Sequence, residues 1–195
     1  LKRWPGISQK IDHWWDDRRV QGFMIAQADR PGLIAREAPG LLRHLCTDGR
    51  LDTDALMALG GAFTDHRFEI FGTPVPAQPP LDWHTDWVCN HTWPKRYFRR
   101  YDFYEPRTAP YDPKRPWELS RLSFIIPMLQ MKAIVTTVDT VDVVVDIVED
   151  WEQGNPLAYS INWYPMEVSM RGINLVCALE MILALENSSV QTVKL

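Results

Sequence analysis

Two short stretches of this chain place a carboxylate and a guanidinium within one helical turn of each other, beside an indole. Trp117, Glu118 and Arg121 form the first. Trp163, Glu167 and Arg171 form the second, with Asn162 just before it and Asn174 just after. Residues three or four apart on a helix share a face, so each stretch can hold an Arg against a Glu. An Arg oriented in this way keeps donors for the carboxylate or sulfate of a ligand. The same pair can instead tie two helices together inside the protein, with nothing left over for a ligand. Both readings stay open on residue types alone. Under the first, Arg121, Asn162, Trp163, Glu167 and Arg171 line the wall of a binding cleft.

No other pattern supplies a reaction by itself. The chain has no glycine-rich phosphate loop, no nucleophile elbow and no HExxH helix. His84, Cys89 and His91 are close in sequence, but their spacing fits no standard zinc site and a fourth ligand would have to come from elsewhere. No metal and no cofactor are therefore expected. Three cysteines, Cys46, Cys89 and Cys177, are widely spaced and odd in number, which indicates no disulfide framework. Cys177, in an apolar stretch, reads as a small buried hydrophobe. The net charge of −4 over 195 residues argues against nucleic acid as a partner. Its distribution is uneven: Lys95 to Arg121 carries eight Lys or Arg against four acids, and Asp139 to Glu152 carries six acids and no base. The basic region can face an anionic ligand.

The elements that must position these residues read as helices. Ile11 to about Gln27 has a rough apolar face of Trp14, Trp15, Val20, Phe23 and Met24. A second helix, Pro31 to His44, is expected to break at Pro39-Gly40, and Asp48-Gly49 to turn. Asp52 or Thr53 caps a short helix through Leu59, which Gly60-Gly61 then stops, and Phe63 to Phe71 contains one or two strands. Thr73 to Pro116 is a long, Pro-rich, aromatic loop, expected to be ordered because loops of this length are usually packed down or functional. Pro116 then starts a helix through Leu129 that Pro127 should kink or locally break. Ile134 to Trp151 is rich in Val and Thr, yet Asp139, Asp142, Asp146 and Glu149 recur at spacings of 3, 4 and 3 opposite the valines. That is a helix with a solvated acidic face. Calcium loops would need glycine and interspersed oxygen ligands. The last helix runs from about Pro165 to Glu186, with Asn187-Ser188-Ser189 expected to end it. Glu180 interrupts its apolar run, so no membrane span is expected.

In this order the motifs resemble a known family. Asp112-Pro113-Lys114-Arg115-Pro116-Trp117-Glu118-Leu119-Ser120-Arg121 is similar to the D-x-K-x-x-W-E-L-x-R signature of the heparinase II/III-like polysaccharide lyases. Asp150-Trp151, Asn155-Pro156, Asn162-Trp163 and Met166-Glu167 with Arg171 resemble the words that follow it. Phe68-Glu69-Ile70-Phe71-Gly72 and Asp82-Trp83 through Trp93-Pro94 resemble the words before it, so the likeness covers roughly residues 60–185. Two positions depart from the pattern: Val135-Thr136-Thr137 stands where the family commonly has a Thr-Gly-Asp turn, and Leu122 stands where a His often follows the arginine.

The resemblance implies a mainly α fold, an incomplete (α/α) toroid of paired amphipathic helices with the aromatic loop inserted. Residues 1–72 would be lead-in helices and short strands, 73–116 the loop and 117–195 toroid helices, all one N-terminal portion of a lyase domain. It implies β-elimination on an acidic, uronate-containing polysaccharide, in which a base removes the C5 proton and the glycosidic oxygen leaves. The family's catalytic Asn-His pair, Tyr and further His come later than the Met-Glu…Arg helix, so no catalytic residue is assigned here. The partners implied are an acidic polysaccharide and the remainder of a parent chain, in a periplasmic or secreted setting. A reading of another class is a non-catalytic helical module for glycan binding or assembly.

Overall fold

The computed structural model describes residues 34–102, 109–135 and 140–192. The expected helix Ile11–Gln27 and the Asp139 end of the acidic stripe lie outside them. The described chain is mainly helical, as expected, with six α-helices and four strands of two residues each.

Helix α1, Ile34–Thr47, runs through Pro39 instead of breaking there. A proline inside a helix removes one backbone bond and costs about 3 kcal/mol, and tertiary contacts offset that here. Pro39 is buried, Arg36 pairs with Glu180 at 2.6 Å, and Arg43 Nε donates to the Ala133 carbonyl at 2.8 Å. Helix α2, Thr53–Gly61, begins where the Asp52 carboxylate accepts the Ala55 N–H at 2.9 Å. Its Gly60 is there for proximity, since a Cβ would lie 2.7 Å from the Pro127 carbonyl oxygen.

Strands β1, Glu69–Ile70, and β2, Thr73–Pro74, form a hairpin through Phe71 and Gly72, both at positive φ as a tight two-residue turn requires. The strand expected across Phe63–Phe71 is confined to its last residues. Strands β3, Thr85–Asp86, and β4, His91–Thr92, form a second hairpin within the aromatic loop.

Helix α3, Lys114–Ser120, and helix α4, Ile125–Ile134, replace the one helix, kinked or locally broken at Pro127, expected from Pro116. The break falls at Arg121–Phe124, before Pro127, with the buried Leu122 at φ 58°. Pro127 sits in the first turn of α4, where its missing N–H leaves no helical carbonyl unpaired. Helix α5, Thr140–Gly154, starts later than the expected Ile134, because 131–134 belong to α4. It buries Val144, Ile147 and Trp151, while Asp142, Asp146 and Glu149 are exposed, the solvated acidic face read from the spacing. Helix α6, Pro165–Thr192, continues through Asn187-Ser188-Ser189. These residues are weak helix formers, each disfavoured by only a few tenths of a kcal/mol, and without Gly or Pro they do not stop a helix.

The core gathers around α4. Its Ile125, Met128 and Leu129 have no exposed surface, and α1, α2, α5 and α6 all pack against it. On α6, by contrast, Met166, Met170, Ile173, Val176 and Leu179 are exposed, Ile173 at 61 %. The stretch Pro165–Leu185 contains a window of mean hydropathy 1.7 and is, by length and composition only, apolar enough to cross a membrane. Glu180, which interrupts this run, is paired with Arg36 of α1.

Candidate functional site

All five residues singled out in the sequence meet where the N-terminus of α6 crosses the end of α3. The pairing differs from the one that spacing suggests. Glu167 makes its hydrogen bonds not to Arg171 on its own helix but to Arg121, just past the end of α3, in a fork with Nε at 2.6 Å and Nη2 at 3.1 Å. A second bond joins Arg121 to Glu118. The hydrogen bonds to Glu167 hold the Arg121 guanidinium more firmly protonated than usual.

Arg171 lies over the Trp151 ring at 3.9 Å and 5.4 Å from the Trp163 ring. It donates to the Ser120 carbonyl and hydroxyl and to the Asn162 carbonyl, each at 3.2 Å. Burial lowers its pKa to about 10, so it remains a cation at neutral pH. Asn174 completes the stripe by donating to the Arg121 carbonyl at 2.8 Å. A helix end leaves carbonyls without partners, and the break after Ser120 creates such an end inside the protein. Arg171 and Asn174 satisfy it by donating to the Ser120 and Arg121 carbonyls, while Glu167 accepts from the Arg121 side chain.

Asn162 belongs to an adjoining buried network. Its amide donates to the Trp83 carbonyl at 2.7 Å and to Asn155 Oδ1 at 2.9 Å. Asn155 is oriented by its own amide, which donates to the Trp151 carbonyl at 2.8 Å. Its Oδ1 therefore accepts, also from Ser160 Oγ at 2.7 Å and from His84 Nε2 at 3.2 Å. That fixes the proton of His84 on Nε2. Burial, then the nearby Lys95, pushes the His84 pKa down, so the ring stays neutral. Of the five residues, Asn162 and Glu167 are 0 % and Arg171 3 % exposed. Only Arg121 and Trp163 keep part of their surface in solvent.

Beside this network the aromatic loop encloses a hollow of about 680 Å³, lined by Trp93, Arg96, Tyr101, Tyr111, Lys114 and Arg115 among others. Buried Trp117 is shared between the two. It lines the hollow, stacks on Tyr164 at 5.1 Å and donates its indole N–H to the Ile161 carbonyl at 3.0 Å. One wall is a ring cluster, with His91 stacked on Tyr111 at 3.7 Å and Trp93 edge-on to both.

A second wall is set by Tyr101. Its hydroxyl donates to the Pro94 carbonyl at 2.6 Å and accepts the Arg96 N–H at 3.2 Å, and its ring carries the Arg96 guanidinium at 4.5 Å. Burial pushes the Tyr101 pKa up, which keeps the hydroxyl a donor. The floor is fixed by Asp86, fully buried. Its carboxylate accepts Arg115 Nη1 and the Asp112 N–H, both at 2.9 Å, and the Val88 N–H at 3.1 Å.

The three residues considered for zinc point apart. His84 joins Asn155, Cys89 Sγ donates to the Pro110 carbonyl and His91 stacks on Tyr111. Among the described residues no group of three or more His, Cys, Asp or Glu is arranged to hold a metal. Cys177 is half-buried rather than buried.

Sequence reading found the basic region and the crowd of aromatics but not the hollow they make. The missed residues are Asp86, Trp93, Arg96, Tyr101 and Tyr111, and His91 was considered only as a metal ligand. The one signal available was the coincidence of the aromatic loop with the basic region. Compared with known protein families, with curated proteins and with solved structures, the chain matches none.

Proposed function

We propose that this chain is part of a polysaccharide lyase of the heparinase II/III-like kind, acting by β-elimination on acidic, uronate-containing glycans and forming one wall of the substrate cleft. The observation that carries the reading is the shared wall at Trp117. The Asp112–Arg121 motif and the Ile161–Arg171 stretch, which resemble successive words of that family, pack together through Trp117, Tyr164, Arg121 and Glu167. Directly in front of them lies a hollow that carries cations and aromatic rings. Aromatic rings give a pyranose an apolar surface, and guanidinium or ammonium groups balance its acid.

In this reading the buried network is scaffolding. Glu167, Arg171 and Asn162 hold the cleft wall in place, and Arg121 and Trp163 are the members that reach solvent. The six helices form part of an (α/α) toroid, and the exposed apolar face of α6 receives the next helical pair of a longer chain. Proton abstraction and departure of the glycosidic oxygen fall to residues outside this chain.

The test is an elimination assay on uronate-containing polymers. The full-length product should generate unsaturated-uronate absorbance, and residues 1–195 alone should generate none. Absorbance from the 195-residue chain, or none from the full-length product on any such polymer, overturns the proposal.

A further inference from the structure

The hollow is lined by three side-chain cations, Arg96, Lys114 and Arg115, and their electrostatic states differ. Arg115 is neutralised by the buried Asp86 at 2.9 Å. Lys114 is paired with Asp112 at 3.5 Å. Asp102, the other carboxylate of the lining, has an interaction of its own. Arg96 pairs with no carboxylate among the described residues. Its guanidinium lies over the Tyr101 ring, and the hydroxyl of the same tyrosine holds the backbone on either side of it. The cation is thus positioned through ring and backbone, and its N–H groups are not used up by an anion. A guanidinium in this state recognises a planar, two-oxygen anion by parallel hydrogen bonds.

We propose that the hollow holds one uronate residue of the glycan and that Arg96 binds its carboxylate in bidentate fashion, while Trp93 and Tyr111 cover one side of the sugar ring. The assignment rests on the reading of the chain as part of an acidic-glycan lyase, and deepens it by naming where and by what the acid is read. Lys114 supplies a second, weaker attraction, because Asp112 already occupies it. Specificity then comes from charge at one position of the sugar and is independent of the bond that is cleaved.

Titration calorimetry on the 195-residue chain tests this. The probes are unsulfated galacturonate, guluronate and glucuronate oligosaccharides, the methyl ester of the oligogalacturonate, and a sulfated oligosaccharide that lacks uronate. At least one acidic oligosaccharide should bind about tenfold or more tightly than its uncharged ester is bound. Arg96→Ala should erase that difference by weakening the acid and leaving the ester unchanged, and Arg96→Lys should restore part of it. Lys114→Ala should have the smaller effect.

Unchanged acid binding in Arg96→Ala overturns the assignment while the lyase reading stands. Equal binding of acid and ester overturns the assignment and removes acid recognition from this part of the chain. Arg96-dependent binding of the sulfated probe alone overturns the carboxylate assignment in favour of sulfate. Absence of binding by every probe at millimolar concentration overturns the assignment, and the elimination assay then decides the lyase reading separately.

Discussion

The buried crossing of α3 and α6 and the hollow beside it use the same kinds of residue to opposite ends. At the crossing, Arg121 and Arg171 spend their donors on Glu167, Glu118, two main-chain carbonyls and Ser120. In the hollow, Arg96 rests on a ring and is matched by no described acid. An arginine's identity therefore does not announce a binding site; the donors it has left over do. The sequence drew attention to the paired arginines because pairing has a helical period. It passed over Arg96, whose partner Tyr101 is five residues away in a non-helical loop.

That contrast can be broken by mutation, and the crossing should respond most. Glu167→Ala leaves Arg121 with only Glu118 and removes a fully buried carboxylate. Breaking a buried pair in this way costs about 3 kcal/mol or more, here moderated because Arg121 is partly exposed. Urea denaturation should show that loss as a lower midpoint with an unchanged slope. A stability within about 0.5 kcal/mol of the parent would mean that the crossing is as loosely committed as the hollow.

Acid should act next, through His84. Its folded pKa is held below 6.5 by burial, so the unfolded state binds the proton first as pH falls. The contribution of the neutral ring is complete above about 6.5 and is lost as pH drops from there towards the folded pKa. Denaturation midpoints measured at several pH values should fall over that window, and His84→Gln should flatten that part of the profile. An unchanged slope in His84→Gln would place the acid sensitivity elsewhere.

The hollow should respond least in stability. Arg96→Ala removes an exposed cation held by a ring contact, and its effect on the denaturation midpoint should correspond to less than about 1 kcal/mol. A larger loss would make Arg96 a structural residue like Arg171 and erase the distinction between the two regions.

How much of this was legible depended on which force set each feature. Helix α5 was readable despite its valines because its acids recur with the helical period and solvent faces only one side. The Asp52 cap is a local rule and appeared where local rules put it, whereas α2 runs through Gly60 and Gly61 instead of stopping before them, because Gly60 is needed for close packing against α4. The failures came where tertiary contacts overrode local preference. Pro39 stays inside α1 because that helix is anchored through Arg36 and Arg43. The break at Leu122 precedes the proline expected to cause it, and α6 supplies the polar groups that make an interior helix end tolerable. At the candidate site, the five residues do meet, but spacing within one helix cannot show that Glu167 pairs across to α3. The hollow depends on Asp86 pairing with Arg115, 29 positions away, and no local pattern announces such a partner.

Tyr101 joins two requirements that most loops keep separate. Its hydroxyl fixes the backbone at Pro94 and Arg96, and its ring bears the guanidinium five residues back. The interval from Pro94 to Tyr101 is therefore a ruler. Adding or deleting one residue inside it would move the charge by about 3.5 Å, more than the reach of a hydrogen bond. Among related chains, length changes should be confined to other parts of the aromatic loop, even where the side chains of this interval vary.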